Sequence, residues 1–206
     1  MKKQEFLQHI VNRLESGEND SLKMSLNNVH AQGLFSLVVD GSEAGKLTRI
    51  FIADKKLKPY GVQLHTHRYP IRLTAIKGSI KQYSASEVNY PDGHTVELSR
   101  YGYKSFLNGG KGLMYHSDRN YRVDEFTVPV GGTINMNTEE FHTISCSKGS
   151  MWIVEELGFD KDESLVLGVP FVVDALYTEP KQFQINDKVQ AVIMVLKDMI
   201  SDYNRV

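Results

Sequence analysis

The chain of 206 residues carries a single cysteine, one tryptophan and six prolines. One cysteine cannot close an intrachain disulfide, which excludes a small disulfide-stapled scaffold and fits a reducing compartment. No segment approaches the roughly 20 apolar residues that span a bilayer. Neither sign of charge is in excess, since 24 Lys and Arg face 25 Asp and Glu for a net charge of −1. Without a basic tract, neither nucleic acid nor a membrane surface is an expected partner. The opening Met1-Lys2-Lys3 runs into Gln4, Glu5, Gln8 and His9, leaving no apolar core for a secretion signal. The expectation is a cytoplasmic protein. No internal repeat or low-complexity segment stands out.

A hydrophobic content of 41% suffices for one sizeable core, and a single domain over 1–206 is expected. Phe6, Leu7, Ile10, Val11 and Leu14 recur at helical spacing ahead of Ser16-Gly17, which predicts an N-terminal helix within 1–20. Short apolar runs then follow between turn signals. They predict strands at 34–39, 47–53, 62–67, 71–77, 79–84, 94–100, 112–117, 121–129, 133–136, 141–145 and 151–155, a sandwich or barrel over 34–156. Val189, Val192, Ile193, Leu196, Met199 and Ile200 recur at three- and four-residue steps behind Asn186-Asp187, predicting a second helix over 186–204. Its apolar stripe must be buried, either on the barrel or against a second copy in a homodimer.

Within this frame the run Gly61-Val62-Gln63-Leu64-His65-Thr66-His67 is answered about 75 residues later by Phe141-His142-Thr143-Ile144. In a strand, residues i and i+2 share a face, so His65 and His67 aim two imidazoles at one point. A third, His142, from a facing strand completes a tripod. Neutral imidazole is the commonest ligand for first-row metals, and three nitrogens leave positions open. The bland alternative is a half-exposed surface pair. Against it, Arg68-Tyr69-Pro70 and the apolar run from Ile71 to Lys77, closed by Gly78, set the pair inside a sheet.

These residues resemble the two motifs of the cupin superfamily, Gly-x5-His-x-His-x3-Glu-x6-Gly and Gly-x5-Pro-x-Gly-x2-His-x3-Asn. His65, His67 and Gly78 fall on the first and Gly131 and His142 on the second. The chain departs at the leading Gly (Pro59), the Glu (Ile71), the second motif's Pro and Gly (Asn137 and Glu139) and its final Asn (Cys146). The resemblance covers about 59–80 and 131–156. It implies a mainly β fold, a cupin-type double-stranded β-helix or jelly-roll barrel flanked by N- and C-terminal helices. With Ile71 in the Glu slot, the chain resembles the three-His kind, which includes the thiol dioxygenases.

What the resemblance implies for chemistry is one divalent metal on His65, His67 and His142, Fe(II) before Mn, Ni or Zn. Substrate and oxygen then meet at the metal, an Arg holds a substrate carboxylate, and a Tyr donates a hydrogen bond. Arg72 and Tyr115 are the candidates for those two roles. Two further readings stay open: a non-catalytic cupin that binds or sequesters a small molecule, and a metal-dependent isomerase or lyase. In each the partner is a small-molecule substrate or ligand.

Strand parity nominates others. Glu140 shares the face of His142 and is either a replacement ligand or an exposed carboxylate; Gln63 shares that of His65 and is a supporting residue. Arg68 flanks the turn beside Arg72 as a second carboxylate holder. The stretch 101–122, with Tyr101, Tyr103, Tyr115, Tyr121, Arg119 and Arg122, is expected to shape ligand selection at the barrel mouth. Within it, Gly109–Gly112 reads as a hairpin turn rather than a phosphate loop, and His116 as structural or supporting. Cys146 reads as a small buried hydrophobe. Nothing places His30 or His94 near the tripod.

Overall fold

The computed structural model describes residues 3–16, 20–59, 62–104, 109–158, 161–168, 181–182 and 186–203. Helix α1 (Lys3–Glu15) is followed by a 3-10 turn (Asp20–Met24). Among the described residues thirteen strands come next: β1 (Leu26–Asn27), β2 (Leu34–Asp40), β3 (Thr48–Ala53), β4 (Leu64–His65), β5 (Ile71–Lys77), β6 (Ile80–Glu87), β7 (Thr95–Lys104), β8 (Gly112–Val128), β9 (Thr133–Met136), β10 (Phe141–Cys146), β11 (Met151–Glu156), β12 (Ser164–Gly168) and β13 (Lys181–Gln182). Helix α2 (Asn186–Tyr203) closes the described chain. The predicted strand over 62–67 is shorter than expected, and 112–129 forms one long strand in place of two. The predicted helix stop at Gly17 lies outside the described residues, as does Gly61.

Seven strands form one antiparallel sheet in the order β13-β1-β2-β3-β11-β5-β9, and the other six close into a ring, β10-β4-β12-β7-β8-β6. Alternation along each strand explains how the layers stack. On β3, Ile50 and Ile52 face the helices while Phe51 and Ala53 face the ring. The helix side buries Leu7, Ile10, Val11 and Leu14 of α1 with Val189, Val192, Ile193 and Leu196 of α2. The stripe of α2 is therefore covered within the chain by α1 and the sheet.

The opposite face of the sheet packs on the ring, where Ile71, Leu73, Trp152 and Val154 meet Ile80, Val128, Ile144 and Cys146. A separate core of Leu64, Ala85, Tyr121, Phe141 and Leu167 comes from ring strands alone and fills the ring's interior. Long β8 makes that closure, since Gly112–Arg122 pairs with β7 and Tyr121–Val128 with β6. The stretch 101–122 is thus largely a wall of the ring, not a set of loops at its mouth. The expectation failed because Tyr101, Tyr103, Tyr115 and Tyr121 suit strands, and the pairing of β7 with β8 carries the ladder through the polar positions between them.

Two motif glycines have backbone reasons. Gly78 adopts φ +68°, and a β-carbon there would lie 2.5 Å from Ser150 Oγ. Gly131 adopts φ +81° and its carbonyl accepts a hydrogen bond from Lys3 Nζ at 2.6 Å, tying the second motif to α1. Both conformations strongly favour glycine.

Candidate metal centre

The three motif histidines converge. His142 on β10 stands directly opposite His65 on β4, and directly opposed residues of an antiparallel pair project to the same side. His67 lies beyond the end of β4, but the extended course continues: the Thr66 N–H donates to Leu165 O at 2.8 Å, and the Leu165 N–H donates to Thr66 Oγ1 at 2.9 Å. Thr66 therefore faces β12 and His67 turns back toward His65. Thr143 Oγ1 ties β10 to the same segment by donating to Val62 O at 2.6 Å. Ring centroids of the three histidines lie 4.9 to 5.1 Å apart.

One nitrogen from each ring lies within 4.8 Å of the others, and among the described residues no carboxylate or thiol joins this set. His67 Nε2 and His142 Nε2 are 2.7 Å apart. Metal–nitrogen bonds of about 2.1 Å place neighbouring nitrogens roughly 3 Å apart in octahedral geometry and about 3.4 Å in tetrahedral geometry. The donor set fits a metal with small ring movements.

Neighbours fix which nitrogen is free. His65 Nδ1–H donates to the carbonyl of Gln63 at 2.8 Å, leaving Nε2 with its lone pair. His142 Nδ1 sits 3.3 Å from Gln82 Oε1 and 3.0 Å from Gln82 Nε2. Metal on His142 Nε2 requires the proton on Nδ1, so the Gln82 amide then presents Oε1 as acceptor. Its amide nitrogen also reaches Met136 Sδ at 3.3 Å. Loss of solvent, then the neighbouring imidazoles, holds the pKa values of His67 and His142 well below the usual range. Desolvation also lowers that of His65, partly offset by its bond to Gln63. All three are neutral at pH 7, the state that ligates.

The Glu slot is apolar in fact as well as in sequence. Ile71 is buried, paired across the sheet with Glu156 on one side and Met136 on the other. Glu140, the alternative ligand, is exposed and accepts a hydrogen bond from Asn137 Nδ2 at 2.7 Å. Gln63 supports the site through its backbone carbonyl.

Arg72 and Tyr115 are placed elsewhere. Arg72 stands on the face of β5 opposite to Ile71, with its guanidinium 3.5 Å from Glu155 and 3.3 Å from Asn135. That face carries Ile76 into the helix-side core, so strand alternation turns Arg72 away from the histidines. Tyr115 is 58% exposed and packs edge-on against Tyr101 at 5.9 Å. Its strand lies three strand spacings from β4 in either direction around the ring, roughly 14 Å along the sheet. Arg68 lies over the Tyr69 ring at 5.7 Å. His116 flanks Gly102 beside Glu163, and Gly110 is a turn glycine whose added β-carbon would meet Lys104 O. Cys146 is buried, and burial raises its thiol pKa.

Three supporting features escaped the sequence. Gln82 was detectable as a lone amide alternating with the apolar Ile80. His30 was not: it precedes His65 by 35 residues, yet its ring stacks on that of His65 with centroids 4.9 Å apart and planes 25° apart. A buried ion pair, Arg49 Nε to Glu156 Oε1 at 2.8 Å, lies on the inner face of the sheet. Glu156 also accepts the N–H groups of Gly45 and Leu47 at 2.7 and 3.3 Å. Burial, then the adjacent Glu156, raises the pKa of Tyr69.

No family model and no curated protein matches this chain. Among solved structures it is similar to the hydroxypropylphosphonic acid epoxidase from S. wedmorenis, with 11% identity over 64% of this chain and 53% of that one, TM-score 0.39. It is also similar to hydroquinone 1,2-dioxygenase PnpCD in complex with Cd2+ and 4-hydroxybenzonitrile, with 11% identity over 66% and 65% of the two chains, TM-score 0.34. A third is the Drosophila melanogaster CENP-C cupin domain, with 12% identity over 81% and 98%, TM-score 0.29. The chain spans about half the length of the epoxidase and just under two thirds of the dioxygenase. Likenesses with TM-scores this low fix no chemistry. The cupin resemblance of the two motifs is borne out where it counts: a mainly β antiparallel fold between two helices brings the motif histidines together.

Proposed function

We propose that this chain is a metal-dependent oxygenase that binds one divalent metal, Fe(II) first among the choices, through His65, His67 and His142, and oxidises a small polar substrate. One observation carries the reading: three neutral imidazoles converge with no carboxylate beside them among the described residues, and the fourth-ligand slot is filled by Ile71. When bound, the metal would offer about three open positions of an octahedron at which oxygen and a chelating substrate can meet.

The chain's own residues do the rest. Gln82 and the carbonyl of Gln63 hold two rings in the ligating tautomer. Ile71 and Met136 supply apolar cover on the sheet side. Since Arg72 and Tyr115 face elsewhere, substrate anchoring falls to groups on the inner faces.

The test is to load purified protein with Fe(II) under anaerobic conditions, add a protein-free cell extract as the probe, and follow oxygen uptake and the extract's small molecules. Near one equivalent of metal and extract-dependent oxygen uptake, both lost in a folded His142→Ala variant, are expected. Recovery of an intact stoichiometric small molecule without oxygen uptake would replace this reading with non-catalytic capture.

A further inference from the structure

The ring of His30 stacks on His65 at 4.9 Å with planes 25° apart, and it comes from a segment that neither motif includes. The turn that carries it is closely built. Asn28 and His30 adopt φ values of +53° and +63°, a region that a non-glycine residue enters only at some cost. Asn28 Oδ1 accepts the Gly33 N–H at 2.9 Å, the Val29 N–H donates to Leu34 O at 2.9 Å, and the Asp54 N–H donates to Gly33 O at 2.8 Å. The turn is thus fastened to β2 and to the end of β3, and holds an imidazole against a ligand ring. Strained backbone next to a functional group that the surroundings over-determine is a recognised pointer to function.

His30 is not one of the converging donors. Near-parallel stacking presents its face, not a nitrogen lone pair, to His65. The neighbouring ring can nevertheless limit rotation of His65, whose other constraint is its Nδ1–H bond to Gln63 O. We infer that His30 is a positioning residue that locks the plane of the His65 ring by stacking, so that His65 Nε2 stays aimed at the metal. The inference rests on the metal-binding reading above and adds a fourth imidazole to the site.

Three proteins test it: the wild type, His30→Gly and His30→Phe, each titrated with Co(II) alone, with the visible absorption bands of the bound ion and the thermal midpoint of the metal-free protein recorded. Glycine removes the ring but suits the positive φ, so the fold should hold or gain stability. Its Co(II) affinity should fall about tenfold, with altered bands, as loss of a residue that orients a ligand generally causes. Phenylalanine keeps the stack, and its affinity should stay within about threefold of wild type, with wild-type bands. Unchanged affinity and bands in His30→Gly would overturn the inference, as would a His30→Phe variant that folds but binds like His30→Gly. Absence of Co(II) uptake by the wild type would overturn the metal reading itself, an outcome distinct from either.

Discussion

His142 and Gln82 form the contact that sets the chemistry of the third ligand: His142 Nδ1 lies 3.3 Å from the Gln82 amide oxygen, on a residue only 1% exposed. The amide is buried, its nitrogen within 3.3 Å of Met136 Sδ, and with its oxygen on Nδ1 it keeps the imidazole in the tautomer that leaves Nε2 free.

Gln82→Leu, close in size, should therefore leave the fold intact and weaken metal binding about 10- to 100-fold, as is usual when a ligand loses its orienting partner. Competitive titration with a chelator of known affinity measures it. Wild-type affinity in Gln82→Leu would show that the amide is a packing residue only.

Ile71→Glu would place a carboxylate on the inner face directly opposite Glu156. Burying an uncompensated charge there should lower the thermal midpoint of the metal-free protein, by on the order of 3–5 kcal/mol of stability. Divalent metal should restore much of the loss if the new side chain reaches the tripod. Calorimetry with and without metal reads this, and a loss that metal leaves untouched would mean that position 71 does not reach the metal.

Acid should destabilise the metal-free protein through the same three histidines. Their folded pKa values are lowered, so the unfolded chain binds more protons than the folded one below the ordinary value near 6.5. The stability they contribute is complete above that value and falls as pH drops through the window toward their folded pKa values. Denaturant midpoints between pH 7.5 and 5 should decline more steeply in the wild type than in His67→Gln. Equal slopes would count against buried neutral imidazoles.

Arg49→Ala should cost about 3–5 kcal/mol, because it leaves Glu156, whose side chain is only 2% exposed, without its cation. Arg72→Ala, which breaks a partly exposed pair 3.5 Å long, should cost under about 1 kcal/mol and leave metal affinity unchanged. Paired denaturation curves separate the two, and equal losses would contradict the burial difference.

Most of the fold could be read from the sequence, for reasons visible in particular elements. Strands 71–77 and 133–136 fall where predicted because their apolar residues are bracketed by Gly78 and by Gly131-Gly132. The histidine tripod was legible because period-two alternation and a turn-bounded segment leave few ways to arrange His65 and His67. Arg72 was misplaced by proximity in sequence: one residue from Ile71 is the other face of the sheet. Strand 164–168 was missed since Leu165-Val166-Leu167 is short and follows a polar run. His30 reached the site through a tertiary contact made by a turn, and no local pattern encodes that.

Strands β4 and β10 form the partition between two cores, one shared with the large sheet and one enclosed by the six-strand ring. Leu64 and Phe141 point into the ring while their neighbours His65 and His142 point out of it. The ligating pair is therefore braced from behind by packing that exists whether or not metal is bound. Little ordering remains for the ion to impose, so its binding free energy should appear chiefly as affinity, not as folding. Such a centre should hold its geometry through repeated loss and recovery of the ion.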